Sequence, residues 1–200
     1  MSVTPSVAVF FTGLLTYLII RARFQRGLAR ADKTVNASSP GDKALVGLVG
    51  AAQVMLPLVH ALTPVLDRAD YALPAQAPWL GSLLMASGVW LFWRSHADLG
   101  RNWSVTLELE RNHHLVTRGV YRRIRHPMYA SFFLMALAQA ALLPNAVAGW
   151  AAVIAVTLLY VVRKPREEAM MLRHFGEAYA SYMSRTGGVV PRIGSRPHAR

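Results

Sequence analysis

Five long apolar blocks, set between strongly basic stretches, limit what this chain can fold into more than any other feature. They cover residues 7–20, 44–66, 79–93, 128–143 and 146–162. A helix crossing the hydrocarbon layer needs about 20 apolar residues. The first and third blocks are shorter, at roughly 15 residues, and flanking Arg and Trp make up the difference by reaching to the interface. The first block lacks a basic leader and an Ala-x-Ala end, so it reads as a span and not as a cleaved signal.

The charges agree with that reading. With the N-terminus outside, the internal pieces are 21–43, 94–127 and 163–200, which hold six, seven and eight of the 22 Lys and Arg residues and leave only Arg68 outside. Basic residues collect on the cytoplasmic side of membrane proteins. The net charge of +12 is therefore a topology signal and a contact for anionic lipid headgroups, with no call for nucleic acid. The expected fold is an all-α integral membrane protein of about five transmembrane helices, a single structural domain. Residues 1–94 form a three-span half on the acceptor side, and residues 95–200 a cofactor-binding loop, a helical hairpin and a C-terminal helix.

Within the second block, Gly47 and Gly50 suit close helix packing, Pro57 and Pro64 suit kinks, and Gln53 and His60 share one face. Polar groups at membrane depth turn toward protein or a cavity, and two readings stand for both, an interhelical hydrogen bond ahead of the lining of a substrate passage. The external loop DRADYALPAQAP reads as a connection. Trp90, Trp93 and Trp103 fit an interfacial belt.

Two polar clusters need more than a topology argument. The first, HHLVTRGVYRRIRHPMY (113–129), closes an internal connection of 34 residues, longer than a linker requires. His126-Pro127 marks a helix start, where free backbone N–H groups favour an anion. Tyr129 lies one turn on, and Gly119 and Tyr121 precede it in a turn-prone run. The second cluster, RKPREEAMMLRHFGEAYASY (163–182), follows the hairpin formed by the last two blocks and their LPN link. Arg163, Glu167 and Met171 share a helical face. Leu172, Phe175, Tyr179 and Tyr182 form an apolar stripe suited to packing an amphipathic helix on the membrane face. Simple ion pairing and headgroup binding remain open for both clusters. Metal is not expected: there are no cysteines, and adjacent His113 and His114 lack a properly spaced third ligand. A Ser-His-Asp triad has no nucleophile motif to support it.

GRNWS (100–104), the 113–129 string, and REEAMMLRHFGEAYASY followed by Pro191 together resemble the isoprenylcysteine carboxyl methyltransferase family, among the integral-membrane methyltransferases that include phospholipid methyltransferases. The resemblance spans roughly residues 95–191. It implies a cytoplasmic-facing S-adenosylmethionine pocket made by the loop before span four and the helix after span five. Carried over by position, His113, His114, Leu115, Val116 and Tyr121 line that pocket, His126, Pro127, Met128 and Tyr129 cover the cofactor's polar end, and Glu167 holds one of its polar groups. Arg163 is the implied catalytic residue, set against the acceptor's carboxylate. The implied activity is methyl transfer to a lipophilic or prenylated acceptor, with carboxyl O-methylation favoured over N- or S-methylation on Arg163. Two other classes stand beside it: a nicotinamide-dependent membrane reductase, which has no Gly-x-Gly-x-x-Gly loop here, and a non-catalytic protein that binds anionic lipid. The expected location is a bacterial inner membrane, with the site facing the cytoplasm.

Overall fold

The computed structural model describes residues 4–28, 35–36, 40–100, 108–109 and 115–192. All five apolar blocks are helical over most of their length, the second interrupted at extended Thr63. Helix α1 is Pro5–Leu28, and α2 is Pro40–Gly50, continued by a π-helical turn Ala51–Met55 into α3, Leu56–Leu62. Helix α4 is Ala77–Leu99, α5 Pro127–Leu142, α6 Ala146–Phe175 and α7 Glu177–Arg185. One two-residue antiparallel ladder pairs β1 (Val35–Asn36) with β2 (Glu108–Leu109). Among the described residues, three stretches are long and apolar enough to cross a membrane: Pro5–Gln25, Pro40–Leu62 and Ala146–Phe175. Helix α5, at 16 residues, is apolar but shorter.

Two apolar cores hold the helices together. Phe10, Leu14 and Tyr17 of α1 meet Met85 and Phe92 of α4 and Met135, Ala138 and Leu142 of α5. On the other side of α5, Tyr129 and Ala136 pack with Val49 and Ala52, and with Ala152, Val156 and Leu159 of α6. Helix α5 is thus the shared wall. Glycine lets α4 approach it: a Cβ on Gly88 would lie 2.7 Å from Met135 Cγ, and one on Gly81 2.7 Å from Leu142 Cγ. Gly47 and Gly50, expected to mediate close packing, have nothing within 4 Å of where a Cβ would stand.

The π-turn follows from Pro57. In π geometry the N–H of residue i+5 bonds the carbonyl of residue i, and Leu56 does reach Ala51 O. The same step would ask Pro57 to donate to Ala52 O, and proline has no N–H. Gln139 of α5 fills the gap, donating Nε2 to Ala52 O at 2.9 Å and to Ala148 O at 2.6 Å. Gln53 and His60 are both buried, as their shared face suggested. Pro64 kinks nothing: α3 ends at Leu62, and Pro64 opens a 3-10 turn, Pro64–Ala69.

Block five does not end at residue 162. Helix α6 runs through Pro165 to Phe175, 30 residues in all, and carries the charged cluster as its own extension. Gly176, at φ 52°, breaks the chain into α7. The stripe expected to face lipid divides there. Leu172 is exposed, whereas Tyr179 and Tyr182 turn into the protein.

Candidate active site at the start of helix 5

His126 and Pro127 open α5 as the sequence suggests: His126 is the N-cap and Pro127 the first helical residue. The extended run before them is held by a distant partner. Arg125 N donates to Gly187 O at 2.9 Å, His126 N to Gly188 O at 3.1 Å, and Gly187 N returns a bond to Arg123 O at 3.3 Å. The segment after α7 therefore lies alongside the entry to α5 like a short parallel strand, with a bridge between Ile124 and Gly187.

Upstream, the run from Leu115 is fixed by Asp98 at the end of α4. Its carboxylate accepts from Val120 N at 2.9 Å and from Arg94 at 2.7 Å. Gly119 stands at φ 59°, and a Cβ there would lie 2.1 Å from Asp98 Oδ2, so glycine is required on both grounds. Tyr121 is buried behind this turn, its hydroxyl 3.4 Å from Ser95 O, and Tyr182 of α7 caps it by donating to Tyr121 O at 2.6 Å. Burial raises the hydroxyls of Tyr121, Tyr179 and Tyr182 above the ordinary phenol range, Tyr182 to about 12, so all three remain protonated donors.

Two adjacent carboxylates on α6 face this assembly. Glu167 accepts from the Tyr129 hydroxyl at 2.7 Å, and its Oε1 lies 3.3 Å from the Arg163 guanidinium one turn earlier. Its other oxygen is 3.7 Å from His126 Nδ1. Glu168 holds a second set: Arg125 through Nε and a terminal nitrogen at 3.2 and 3.0 Å, His126 Nε2 at 3.1 Å and Lys164 Nζ at 2.8 Å. Arg125 also donates to the carbonyls of Met183 and Thr186. One half-buried guanidinium so joins α6, α7 and the start of α5. Pro165 does not disturb the Arg163–Glu167 pair.

Arg163 is buried, and its Nε has no hydrogen-bond partner. A guanidinium offers five donors in a planar fork, and desolvating one without a partner costs about 1–3 kcal/mol. That edge is the cluster's clearest open valence, and an acceptor of carboxylate shape fits it. Tyr160 completes an aromatic wall, its ring 5.3 Å from Tyr129 and 6.2 Å from His126.

The structure brings together His126, Tyr129, Arg163 and Glu167, with Pro127 buried beneath them and Tyr121 behind the turn. Met128 points elsewhere, into the α1–α4–α5 core. Leu115 and Val116 are half-buried in the run leading to the 119–122 turn. His113 and His114 lie outside the described residues, as does Trp103. Sequence reasoning read Glu168 only as part of the acidic doublet and Arg125 only as part of a headgroup-binding run, and gave no part to Lys164 or Tyr160. The adjacent-acid doublet was the available signal for Glu168, since consecutive helical residues point about 100° apart and need separate partners.

Residues 80–173 match the family model described as the isoprenylcysteine carboxyl methyltransferase (ICMT) family. Protein-S-isoprenylcysteine O-methyltransferase B of Arabidopsis thaliana is 30% identical over 114 residues, covering 57% of this chain and 55% of the relative. The corresponding protein of Schizosaccharomyces pombe is 32% identical over 120 residues (59% and 50%), and that of Homo sapiens 30% over 123 residues (59% and 43%). The chain thus spans about half the length of the relatives it matches. Among solved structures, the eukaryotic intramembrane Ras methyltransferase ICMT aligns with a TM-score of 0.58 at 23% identity, over 96% of this chain and 70% of that one. The likeness shows a shared integral-membrane helical fold.

Proposed function

Because the chain resembles the isoprenylcysteine carboxyl methyltransferase family through residues 80–173, we propose that it is an integral-membrane methyltransferase using S-adenosylmethionine. Its acceptor is a lipophilic or prenylated molecule that presents a carboxylate. The observation that carries the acceptor's chemistry is the buried Arg163 with its unpartnered Nε.

The residues present fit the cofactor's polar groups. Glu167, with Tyr129 and His126 around it, is an anionic centre suited to an ammonium or to ribose hydroxyls. The N-terminus of α5 offers backbone N–H groups to a carboxylate. Tyr160 and Tyr129 supply aromatic faces of the kind that attract a cationic centre. His113, His114, Leu115, Val116 and Tyr121 complete the proposed lining, with Pro127 and Met128 contributing the turn that seats His126. When bound, the cofactor supplies an activated methyl on a sulfonium. The protein's part is to hold an acceptor oxygen in line with it and to keep water out. Arg163 orients the acceptor carboxylate through the guanidinium edge that Glu167 leaves free. Glu167 in turn keeps Arg163 from swinging away.

We further propose that the N-terminus lies outside, that five helices cross, that the site faces the cytoplasm of a bacterial inner membrane, and that acceptors enter laterally between helices. The comparisons give no support to a nicotinamide-dependent reductase or to a purely lipid-binding role. Calorimetric titration of the detergent-purified chain with S-adenosylhomocysteine, with NADPH in parallel, tests the cofactor. Saturable binding of the first, weakened in Glu167→Ala and His126→Ala, is the expected result. Binding of NADPH alone would reverse the assignment.

A further inference from the structure

A second polar cluster lies at the opposite end of α5, one 16-residue helix away from His126, which is about 24 Å at 1.5 Å per residue. It belongs to the loop that reads from sequence as a mere connection. His60, in the last turn of α3, is almost fully buried, and its Nδ1 has no hydrogen-bond partner. That nitrogen is aimed at the carboxylate of Asp70, whose Oδ1 stands 3.7 Å away. Asp67 comes from the 3-10 turn between them, and one ligand atom from each of the three residues lies within 4.8 Å of the others.

We propose that His60, Asp67 and Asp70 bind one divalent transition-metal cation of the zinc class, which pins the Pro64–Ala69 turn to the end of α3, beside the tip of the α5–α6 hairpin. A separation of 3.7 Å is too long for a hydrogen bond. It is close to the spacing of two ligand atoms on one tetrahedral ion, about 3.3–3.6 Å for metal–ligand bonds of about 2.0–2.2 Å. An imidazole with two carboxylates selects zinc and its transition-metal neighbours over magnesium or calcium, which prefer all-oxygen shells. The two aspartates are exposed, which gives the ion a route in, while the buried histidine gives it an anchor.

The support around the site is that of a ligand set held in place. Asn145 is buried and donates Nδ2 to Asp70 Oδ1 at 2.6 Å and to Leu66 O at 2.7 Å, while its Oδ1 caps α6 through Val147 N and Ala148 N. Asp70 also bridges to Asn145 through the backbone, and Tyr71 N donates to Pro144 O at 2.9 Å. Partners of this kind orient metal-binding carboxylates. The ion's role is structural, and the proposal is independent of the methyltransferase reading.

The test uses the full chain in detergent, stripped with chelator and titrated with zinc chloride by calorimetry and thermal melting, against Asp67→Asn and the double variant Asp67→Asn/Asp70→Asn. Wild type is expected to take up one equivalent with a rise in melting temperature. The double variant should bind at least tenfold more weakly while keeping the metal-free melting temperature and helix content of wild type. Its remaining histidines control for adventitious zinc. Zinc binding of equal affinity in both proteins overturns the site, as does the absence of saturable binding to folded wild type. Preference for magnesium or calcium overturns the metal class.

Discussion

Tyr129 on α5 donates its hydroxyl to Glu167 on α6 at 2.7 Å, across 38 residues of sequence. Tyr129→Phe keeps the ring and removes only that bond. Glu167 is left with Arg163 and the more distant His126, so its orientation loosens. A hydrogen bond to a charged group is worth about 1.5–3 kcal/mol, and S-adenosylhomocysteine is expected to bind roughly 10- to 100-fold more weakly at unchanged helix content. Calorimetry beside circular dichroism checks this.

Arg163→Ala and Arg163→Lys separate the two jobs of the cluster. If Arg163 orients the acceptor carboxylate, both variants lose turnover by a larger factor than they lose S-adenosylhomocysteine affinity, the loss of affinity coming from Glu167, whose guanidinium partner at 3.3 Å is removed. Lysine restores charge without the planar fork and so recovers only part of the rate. Turnover of a carboxylate acceptor unchanged in Arg163→Ala would remove the clamp from the proposal. The assay is single-turnover methyl transfer from radiolabelled donor.

Glu168→Ala leaves the half-buried Arg125 guanidinium facing only main-chain carbonyls. Removing one partner of a buried pair costs about 3–5 kcal/mol, and Arg125 also holds Met183 and Thr186. The expected result is a lowered melting temperature together with new protease cleavage around residues 183–192. Loss of binding without such cleavage would assign Glu168 to the ligand instead.

Gln139→Leu strips Ala52 O of its substitute donor and should destabilise by about 1–3 kcal/mol. Pro57→Ala returns a backbone N–H at the step where the π-turn lacks one. The double variant is therefore expected to recover part of the loss, and a double-mutant cycle of thermal stability measures the coupling.

Gly88→Ala and Gly47→Ala should move stability in opposite directions. The first forces Met135 aside in a filled core, at about 1–3 kcal/mol. The second adds a methyl group in open space and gains up to roughly 1 kcal/mol from helix propensity. Reversible unfolding in mixed micelles ranks the two.

What was legible in the sequence was local. Apolar block length marked the helices, His126-Pro127 marked the start of α5, and the four-residue spacing of Arg163 and Glu167 put them together. What was not legible was long-range. No periodicity links Arg125 to Glu168, 43 residues on, or Gly187 and Gly188 to the chain before α5, because backbone pairing of a short irregular segment leaves no side-chain pattern. The glycines show the same limit. The sequence reading singles out Gly47 and Gly50 and passes over Gly88, and only the neighbouring helix decides which one is needed. Span five and the charged helix after it read as two elements in the sequence because composition changes at residue 163, whereas one helix runs through both.

The pairing of residues 187 and 188 with the entry to α5 sets an order of events during synthesis. A ribosome that has made both carboxylates and the whole hairpin has still not made the strand that fixes Arg125 and His126. Until that late segment emerges and docks, the nascent protein holds its charged residues without their final arrangement. Competence therefore arrives as a single late step, and translation products that stop short of Gly188 are expected to reach the membrane inert.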